Sequence, residues 1–324
     1  MTLASTLRDA VGRHGDRPAF AVVGKDARSL TYAEAWQKVL RLAGALKAKG
    51  LTKGDRVATV AENSIELAIL DWAGYLSGLV MVPIYPTLPA DGTRYIVEDS
   101  GAKLVVVDSE KQAAKTLPLG GGQGGGSETV MLTDLDAESY DPQIEIADYD
   151  PCCIIYTSGT TGVPKGAVMP HRAFVHVAKG VEREIVLGKD DVFLSFLPMS
   201  HVYERVAGQV LPVLLGASIV YSKGLAHLQT EMKEARPTVM MCIPRFLESL
   251  RQRILDRVAK DKPIKQKLFG WMLAQGGKKA HGGFAPFAPL LDAIVAKKVR
   301  EGFGGRLKYL VSGGAALAPE SSTM

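Results

Sequence analysis

The chain has 324 residues, of which 47% are hydrophobic and 23% charged, as expected for a soluble globular protein with one large domain or two ordinary ones. Its 39 basic and 34 acidic residues leave a net charge of +5, which is too small and too dispersed to indicate nucleic-acid binding. The three cysteines form neither a Cys-x-x-Cys pair nor a cluster with histidine, which argues against cysteine-ligated metal and suits a reducing, cytoplasmic environment.

No stretch of the chain has the composition of a targeting or membrane segment. The first 20 residues carry Arg8, Asp9 and Arg13 and lack an uninterrupted apolar run, so they predict a short amphipathic helix instead of a secretory signal. The most apolar window, 67–85, contains Asp71 and several helix breakers, which favours a buried helix followed by a strand. We therefore expect no transmembrane segment.

Helix and strand signals alternate through the first third of the chain. Thr31 and Glu34 form a capping box that predicts the start of a helix, and Gly50 predicts its end. Further elements are predicted as helices from 64 toward 78 and over 91–100, and as strands over 56–60, 80–84 and 104–107. These strands are apolar on both faces, so they predict an α/β fold with stacked, mostly parallel sheets sandwiched by helices.

A glycine-rich stretch interrupts this pattern at residues 118–127. It has six glycines and almost nothing to bury, so it predicts a mobile surface loop between a first subdomain (1–117) and a second part (128–324). A natural loop and an engineered spacer have the same composition. Phosphate binding by this stretch is disfavoured because it holds no Lys or Arg and no helix signal follows it.

The alternation resumes in the second part of the chain. Strands are predicted over 152–155, 192–198, 217–221, 238–243 and 307–311, and helices over 202–215, over 244–257 and onward to about 300 with a break at 282–286. Gly216 and Pro244 sit where a helix end and a helix start are expected.

The most informative stretch is Tyr156-Thr157-Ser158-Gly159-Thr160-Thr161-Gly162-Val163-Pro164-Lys165-Gly166, which follows an apolar strand and is predicted to leave the sheet as a loop. Its glycines let the backbone approach an anion, its hydroxyls donate hydrogen bonds, and Lys165 adds a positive charge. A flexible linker rarely combines these features. A Walker A loop requires Gly-Lys-Ser/Thr, whereas Lys165 lies between Pro164 and Gly166.

Residue for residue, this stretch resembles the phosphate-binding signature Tyr-Thr-Ser-Gly-Thr-Thr-Gly-x-Pro-Lys-Gly of the AMP-forming adenylating enzymes, which include acyl-CoA synthetases, luciferases and peptide-synthetase adenylation domains. The resemblance implies ATP, Mg2+ and coenzyme A as cofactors. It assigns Mg2+ to Thr157 and nucleotide binding to Thr157, Ser158, Gly159, Thr160, Thr161, Gly162 and Lys165.

Two further segments resemble the same family. Residues 197–205 match the pattern Leu-Pro-x-x-His-x-x-Glu-Arg of long-chain acyl-CoA synthetases, which implies that His201 positions the acyl carboxylate and is not a general base. Residues 312–315 resemble the turn that flanks adenine, which implies roles for Gly313, Gly314 and Ala315. Read alone, the first segment is an ordinary histidine after a strand and the second a common turn.

The resemblance implies the joining of a fatty acid, of medium or long chain, to ATP and then to coenzyme A. The family's Thr-Glu metal segment and C-terminal lysine have no counterpart in these 324 residues, so we expect an N-terminal AMP-binding part without its C-terminal domain and with little ligase activity alone. Transfer to an acyl carrier protein, an aryl acid substrate and a non-catalytic nucleotide-binding module are alternatives. Peripheral membrane contact is left open.

Overall fold

A computed structural model describes residues 1–116, 127–158, 162–280, 286 and 297–316. The predicted glycine-rich loop at 118–127 lies outside the described residues except for Ser127, as does the predicted helix break around 282–285. The chain divides into two compact units, Met1–Lys223 and Gly224–Met324. The subdivision predicted from the sequence, with parts at 1–117 and 128–324, stays a prediction.

The described strands fall where continuous apolar runs predict most of them. In chain order they are β1 (Pro18–Val22), β2 (Arg28–Thr31), β3 (Arg56–Val60), β4 (Val80–Ile84), β5 (Leu104–Val107), β6 (Glu128–Met131), β7 (Pro151–Ser158), β8 (Pro164–Pro170), β9 (Val192–Ser195), β10 (Ser218–Tyr221), β11 (Val239–Cys242) and β12 (Tyr309–Ser312).

The described helices alternate with these strands. They are α1 (Leu3–His14), α2 (Tyr32–Ala48), α3 (Ile65–Leu76), α4 (Ala90–Ser100), α5 (Glu110–Thr116), α6 (His171–Glu184), α7 (Leu211–Leu215), α8 (Leu228–Ala235), α9 (Pro244–Ala259), α10 (Pro263–Ala280) and α11 (Lys297–Glu301), with a π-helix at Glu204–Val210.

The first unit contains a six-stranded sheet in the order β6-β5-β3-β4-β7-β8. Its first five strands run parallel, and only β8 is antiparallel to its neighbour. The same unit holds the strands β9-β10-β1-β2, parallel except for the β1–β2 pair. In the second unit β11 pairs in parallel with β12. The predicted α/β class with mostly parallel sheets is therefore confirmed.

Helix α3 separates the two groups of strands in the first unit, since it contacts both β4 and β1. Eleven of its twelve residues are buried, as expected for a helix that is apolar on all sides. The predicted capping box of α2 is present, with Thr31 and Glu34 side chains bonded to each other's backbone. Cys152 and Cys153 are buried in β7, as predicted, and burial raises the pKa of the Cys153 thiol to about 12.

The helix predicted over 202–215 is present, but half of it is a π-helix. Residues 204–210 form the π-helix, and the α-helix 211–215 that follows is ended by Gly216 in the left-handed conformation. A side-chain hydrogen bond between Glu204 and Gln209 spans five residues, the same spacing as the backbone bonds of a π-helix. Hydropathy spacing alone does not distinguish the two helix types.

None of the helices in the described part of the chain has the length and apolar composition that a membrane crossing requires.

Buried His171, the first residue of α6, predicts a loss of stability in acid. Its Nδ1 atom accepts a hydrogen bond from the Leu3 N–H at 3.3 Å, and its ring packs edge-on against Tyr75. Burial lowers the pKa of His171 to about 4, so the ring is neutral in the folded chain. The stabilisation that depends on the neutral ring is fully present above the unfolded pKa of about 6.5. As pH falls from about 6.5 toward 4 it is lost, and the free energy of unfolding decreases by up to about 3 kcal/mol.

Urea unfolding of the wild-type chain and His171→Asn at about pH 7 and pH 4.5 measures this contribution. Asn keeps an acceptor for Leu3 but does not titrate, so the free energy of unfolding should fall less steeply with acid in the variant. Equal pH slopes for the two proteins would show that His171 is not the responsible group.

Candidate functional site

The phosphate signature is built into a β-hairpin, which corrects the prediction of an eleven-residue loop. Tyr156, Thr157 and Ser158 continue β7, and β8 starts at Pro164, so the connection between them spans only 159–163. The β-branched residues before the glycines favour an extended backbone, and β8 pairs antiparallel along the whole of β7. Gly159, Thr160 and Thr161 lie outside the described residues.

Two positions of the signature require glycine, each for a different steric reason. Gly162 has φ of +84°, a left-handed conformation that residues with a side chain disfavour. A Cβ there would meet no atom within 4 Å, so the backbone conformation, and not a lack of space, favours glycine. Gly166 has an ordinary φ but lies opposite Tyr156 in the hairpin. A Cβ on Gly166 would lie 2.8 Å from Ile154 Cγ2 and 3.0 Å from the Tyr156 ring, so this glycine makes room for both side chains across the strand.

The hairpin places a hydroxyl beside an ammonium. Thr157 and Lys165 are direct partners across the β7–β8 pair, and both are exposed. Side chains of directly opposed residues project from the same face of a sheet, with Cβ atoms about 5 Å apart. This arrangement presents a hydroxyl and an ammonium on one side of the hairpin, which suits an anion.

Helix α4 anchors the hairpin through two tyrosines. The Tyr95 hydroxyl donates to the Pro164 carbonyl at 3.1 Å, and the Tyr156 hydroxyl donates to Asp99 Oδ2 at 2.5 Å. Burial, followed by the hydrogen bond to Asp99, raises the pKa of Tyr156. Both phenols are therefore structural donors, and they fix both strands on which Thr157 and Lys165 stand.

His201 lies in the turn after β9 with its ring half-buried. The His201 N–H donates to the Pro198 carbonyl at 2.9 Å, and ring atom Nδ1 accepts the Tyr203 N–H at 3.1 Å. Burial lowers the pKa of His201, so the ring is neutral at pH 7. With Nδ1 as the acceptor, the proton of the neutral ring is on Nε2, which makes that atom a hydrogen-bond donor.

The two charged residues that follow in the same segment have a structural role. Arg205 is buried and pairs with Asp71 of α3 at 2.7 Å, while Nη1 also donates to the Tyr75 hydroxyl and Nε donates to the Met199 carbonyl at 3.0 Å. Burial raises the pKa of the Asp71 carboxyl, and the Arg205 guanidinium opposes that shift. Arg205 thus ties the turn that carries His201 to helix α3.

Glu204 belongs to a buried polar network beneath this turn. Gln209 Nε2 donates both to Glu204 Oε1 at 3.2 Å and to Ser195 Oγ at 3.0 Å, and the Tyr221 hydroxyl donates to Gln209 Oε1 at 2.8 Å. Burial raises the pKa of Glu204 to about 7, opposed by hydrogen bonds from Ser195 and Gln209. Protonation of this carboxyl near pH 7 reduces the cost of an unpaired buried charge.

In the second unit, the predicted adenine-flanking turn follows β12. The Gly313 N–H donates to the Cys242 carbonyl at 3.1 Å, and Gly314 has φ of +83°. Ala315 is exposed. This is the small-residue turn that the sequence predicts after a strand, and its role toward a nucleotide stays a prediction.

A metal site of the usual protein type is not found in the described residues. Across 1–116, 127–158, 162–280 and 297–316, no three His, Cys, Asp or Glu side chains are grouped closely enough to hold a metal ion. Mg2+ in nucleotide sites is held mainly by phosphate oxygens and water, with only one or two protein oxygens. The exposed Thr157 hydroxyl beside Lys165 fits such a shared site.

Asn63 is the residue of this region that the sequence reasoning missed. Its side chain contacts Ser195, Leu197 and Met199, all in the segment that leads to His201. No local motif marks it, and the sequence shows only an amide three residues past β3, near the carboxyl end where ligands lie in open α/β sheets.

Comparisons with known proteins agree with the resemblance found in the sequence. A family model described as "AMP-binding enzyme" matches residues 7–323. Long chain acyl-CoA synthetase 3 of Arabidopsis thaliana is 29% identical over 320 residues, covering 89% of this chain and 48% of that protein. Long-chain-fatty-acid--CoA ligase 1 of Schizosaccharomyces pombe is 27% identical over 333 residues, covering 91% of this chain and 48% of that protein.

Among solved structures, the inhibitor-bound N-terminal domain of FACL13 from Mycobacterium tuberculosis superposes with a TM-score of 0.77. At 24% identity over 99% of this chain and 71% of that one, this likeness bears on the fold. The chain spans about half the length of the curated relatives it matches. With a family model matched over nearly its whole length and the hairpin that carries the signature, this chain belongs to the AMP-binding enzyme family.

Proposed function

We propose that this chain provides the ATP- and acyl-binding part of an AMP-forming fatty-acid–CoA ligase. The observation that carries the proposal is the β7–β8 hairpin, in which exposed Lys165 stands opposite Thr157 next to a turn containing the left-handed Gly162. An ammonium and a hydroxyl on one face suit the two outer phosphates of ATP, and N–H groups of the turn would complete the cradle. Named relatives support the ligase chemistry and the fatty-acid class.

The reaction has two steps. A carboxylate oxygen of the acid forms a bond to the α-phosphorus, and the bond from that phosphorus to pyrophosphate breaks, which leaves acyl-AMP. The sulfur of coenzyme A then forms the thioester, while the acyl–oxygen bond breaks and AMP leaves. Lys165 would offset the charge that grows on the departing pyrophosphate, and positioning with charge neutralisation supplies most of the catalysis in such transfers. Mg2+, when bound, shares that charge, with Thr157 as its protein ligand.

His201 would act on the acid as a donor. Its Nε2–H can hydrogen bond to a carboxylate or adenylate oxygen, whereas its lowered pKa makes it a weak base. In the same proposal Gly313, Gly314 and Ala315 flank adenine. A tail of ~16 carbons would gain roughly 0.8 kcal/mol for each methylene that is buried, so an apolar tunnel would dominate the affinity for a long-chain acid.

Substitution of Gly162 tests the phosphate cradle, because the chain offers a matched control. Gly162→Val and Gly50→Val both force a branched side chain into a left-handed conformation with open space around it. Each should lose roughly 1–2 kcal/mol or more of local stability. We expect only Gly162→Val to weaken binding of α,β-methylene-ATP, about tenfold or more, because it alone deforms the turn.

Isothermal titration calorimetry of the chain with α,β-methylene-ATP and Mg2+ measures this difference. Equal affinity in the wild-type chain and Gly162→Val would contradict the proposed cradle. The proposal would also fail if the wild-type chain bound no nucleotide while remaining folded.

A further inference from the structure

Asn63 joins the loop after β3 to the turn that carries His201. Its Nδ2 atom donates to the Leu197 carbonyl at 2.7 Å and to Ser195 Oγ at 3.3 Å. Its Oδ1 atom accepts the Met199 N–H at 2.9 Å. One amide therefore bonds three positions of a segment more than 130 residues away in the sequence.

These partners also fix the orientation of the amide. A carbonyl can only accept and an N–H can only donate, so Nδ2 must face Leu197 and Oδ1 must face Met199. The reverse orientation would set two acceptors against each other at one end and two donors at the other. No single-headed side chain can satisfy both partners at this position.

Met199 is held from two sides as a result. Its N–H is bound by Asn63, and its carbonyl accepts from Nε of the buried Arg205. The next bond in the turn is the His201 N–H to the Pro198 carbonyl, and the His201 ring is oriented by the Tyr203 N–H. Backbone between Leu197 and His201 is thereby fixed before any ligand binds, which lowers the cost of ordering the ring for a ligand.

We propose that Asn63 is a positioning residue that acts through His201. It clamps residues 197–199, so that the His201 ring keeps its Nδ1 atom on the Tyr203 N–H and carries its proton on Nε2. The part of this inference that concerns the acyl group rests on the proposed function of His201. The orientation of the ring does not depend on that function, and the two parts can be tested separately.

The tautomer of His201 tests the clamp without a ligand. Imidazole 15N shifts at about pH 8, where the ring is neutral, should show the Nε2-protonated form in the wild-type chain. Asn63→Ala should shift the ring toward a mixture of both tautomers. The isosteric variant Asn63→Asp should do the same, because it sets a carboxylate oxygen against the Leu197 carbonyl.

Ser64→Ala is the matched control, since it removes the N-cap of α3 one residue away without touching the His201 turn. It should lose about 1 kcal/mol of stability and leave the tautomer unchanged. The clamp is refuted if neither Asn63 variant alters the tautomer, or if Ser64→Ala alters it equally. Asn63→Asp keeps the side-chain volume, so this variant still tests the clamp if Asn63→Ala does not fold.

A double-mutant cycle tests the coupling to the ligand. With a non-hydrolysable acyl-adenylate analogue, palmitoyl sulfamoyl adenosine, Asn63→Ala should weaken binding about tenfold in the wild-type background and less than about twofold in His201→Ala. Equal losses in both backgrounds would overturn the coupling. If His201→Ala itself binds the analogue like the wild-type chain, the proposed role of His201 fails, while the tautomer measurement still decides the clamp.

Discussion

Arg205→Met should destabilise the first unit by roughly 3–5 kcal/mol, the largest stability effect we expect from a single substitution in this chain. The buried guanidinium of Arg205 is the partner of Asp71 and also donates to Tyr75 and to the Met199 carbonyl. Its removal leaves the Asp71 carboxyl buried in α3 without a counterion. That carboxyl then either carries an unpaired charge or takes up a proton against its ordinary pKa.

The double variant Arg205→Met, Asp71→Leu tests whether the loss comes from leaving Asp71 unpaired, because it removes both buried charges. Apolar replacement of both members of a buried ion pair is often neutral or stabilising, so most of the lost free energy of unfolding should return. Urea unfolding followed by circular dichroism gives both values. A loss below about 1 kcal/mol for the single variant, or a double variant no better than the single one, would show that the pair does not hold the turn to α3.

Lys165→Ala should weaken ATP binding roughly ten- to a hundredfold and leave AMP binding within about twofold. A charge-assisted hydrogen bond contributes about 1.5–3 kcal/mol, and Lys165 is proposed to contact the outer phosphates, which AMP lacks. The comparison of two nucleotides within one variant removes any general effect on folding. In a longer polypeptide that contains this chain and adenylates acids, the same substitution should slow pyrophosphate exchange far more than it weakens acid binding.

Lys38→Ala provides the charge control for that measurement, because Lys38 is exposed on α2 and its removal lowers the net charge equally. If Lys38→Ala weakened ATP as much as Lys165→Ala, long-range attraction would explain the effect. Parallel losses of ATP and AMP affinity in Lys165→Ala would place the lysine elsewhere than on the outer phosphates.

The elements that the sequence predicts correctly are marked by residues that lie close together in the chain. The capping box of Thr31 and Glu34 fixes the start of α2 within four residues, and the apolar runs of β3, β4 and β5 are long enough to identify buried parallel strands. The eleven-residue signature was recognisable for the same reason, since its chemistry lies in consecutive residues.

What the sequence does not show depends on distant partners. The hairpin form of the signature depends on β8, an exposed edge strand with Pro164 and Pro170 at its ends and only three consecutive apolar residues between them. The π-helix is accompanied by a buried bond between Glu204 and Gln209, which hydropathy spacing does not reveal. No local motif marks Asn63, because its role depends on three hydrogen-bond partners more than 130 residues further along the chain.

A crystal structure of this chain with α,β-methylene-ATP and Mg2+ tests the central claim most directly. The account predicts that the two terminal phosphates lie at the β7–β8 turn, within about 3 Å of Lys165 Nζ and of turn N–H groups. A nucleotide bound at another place, with this turn empty, would contradict it.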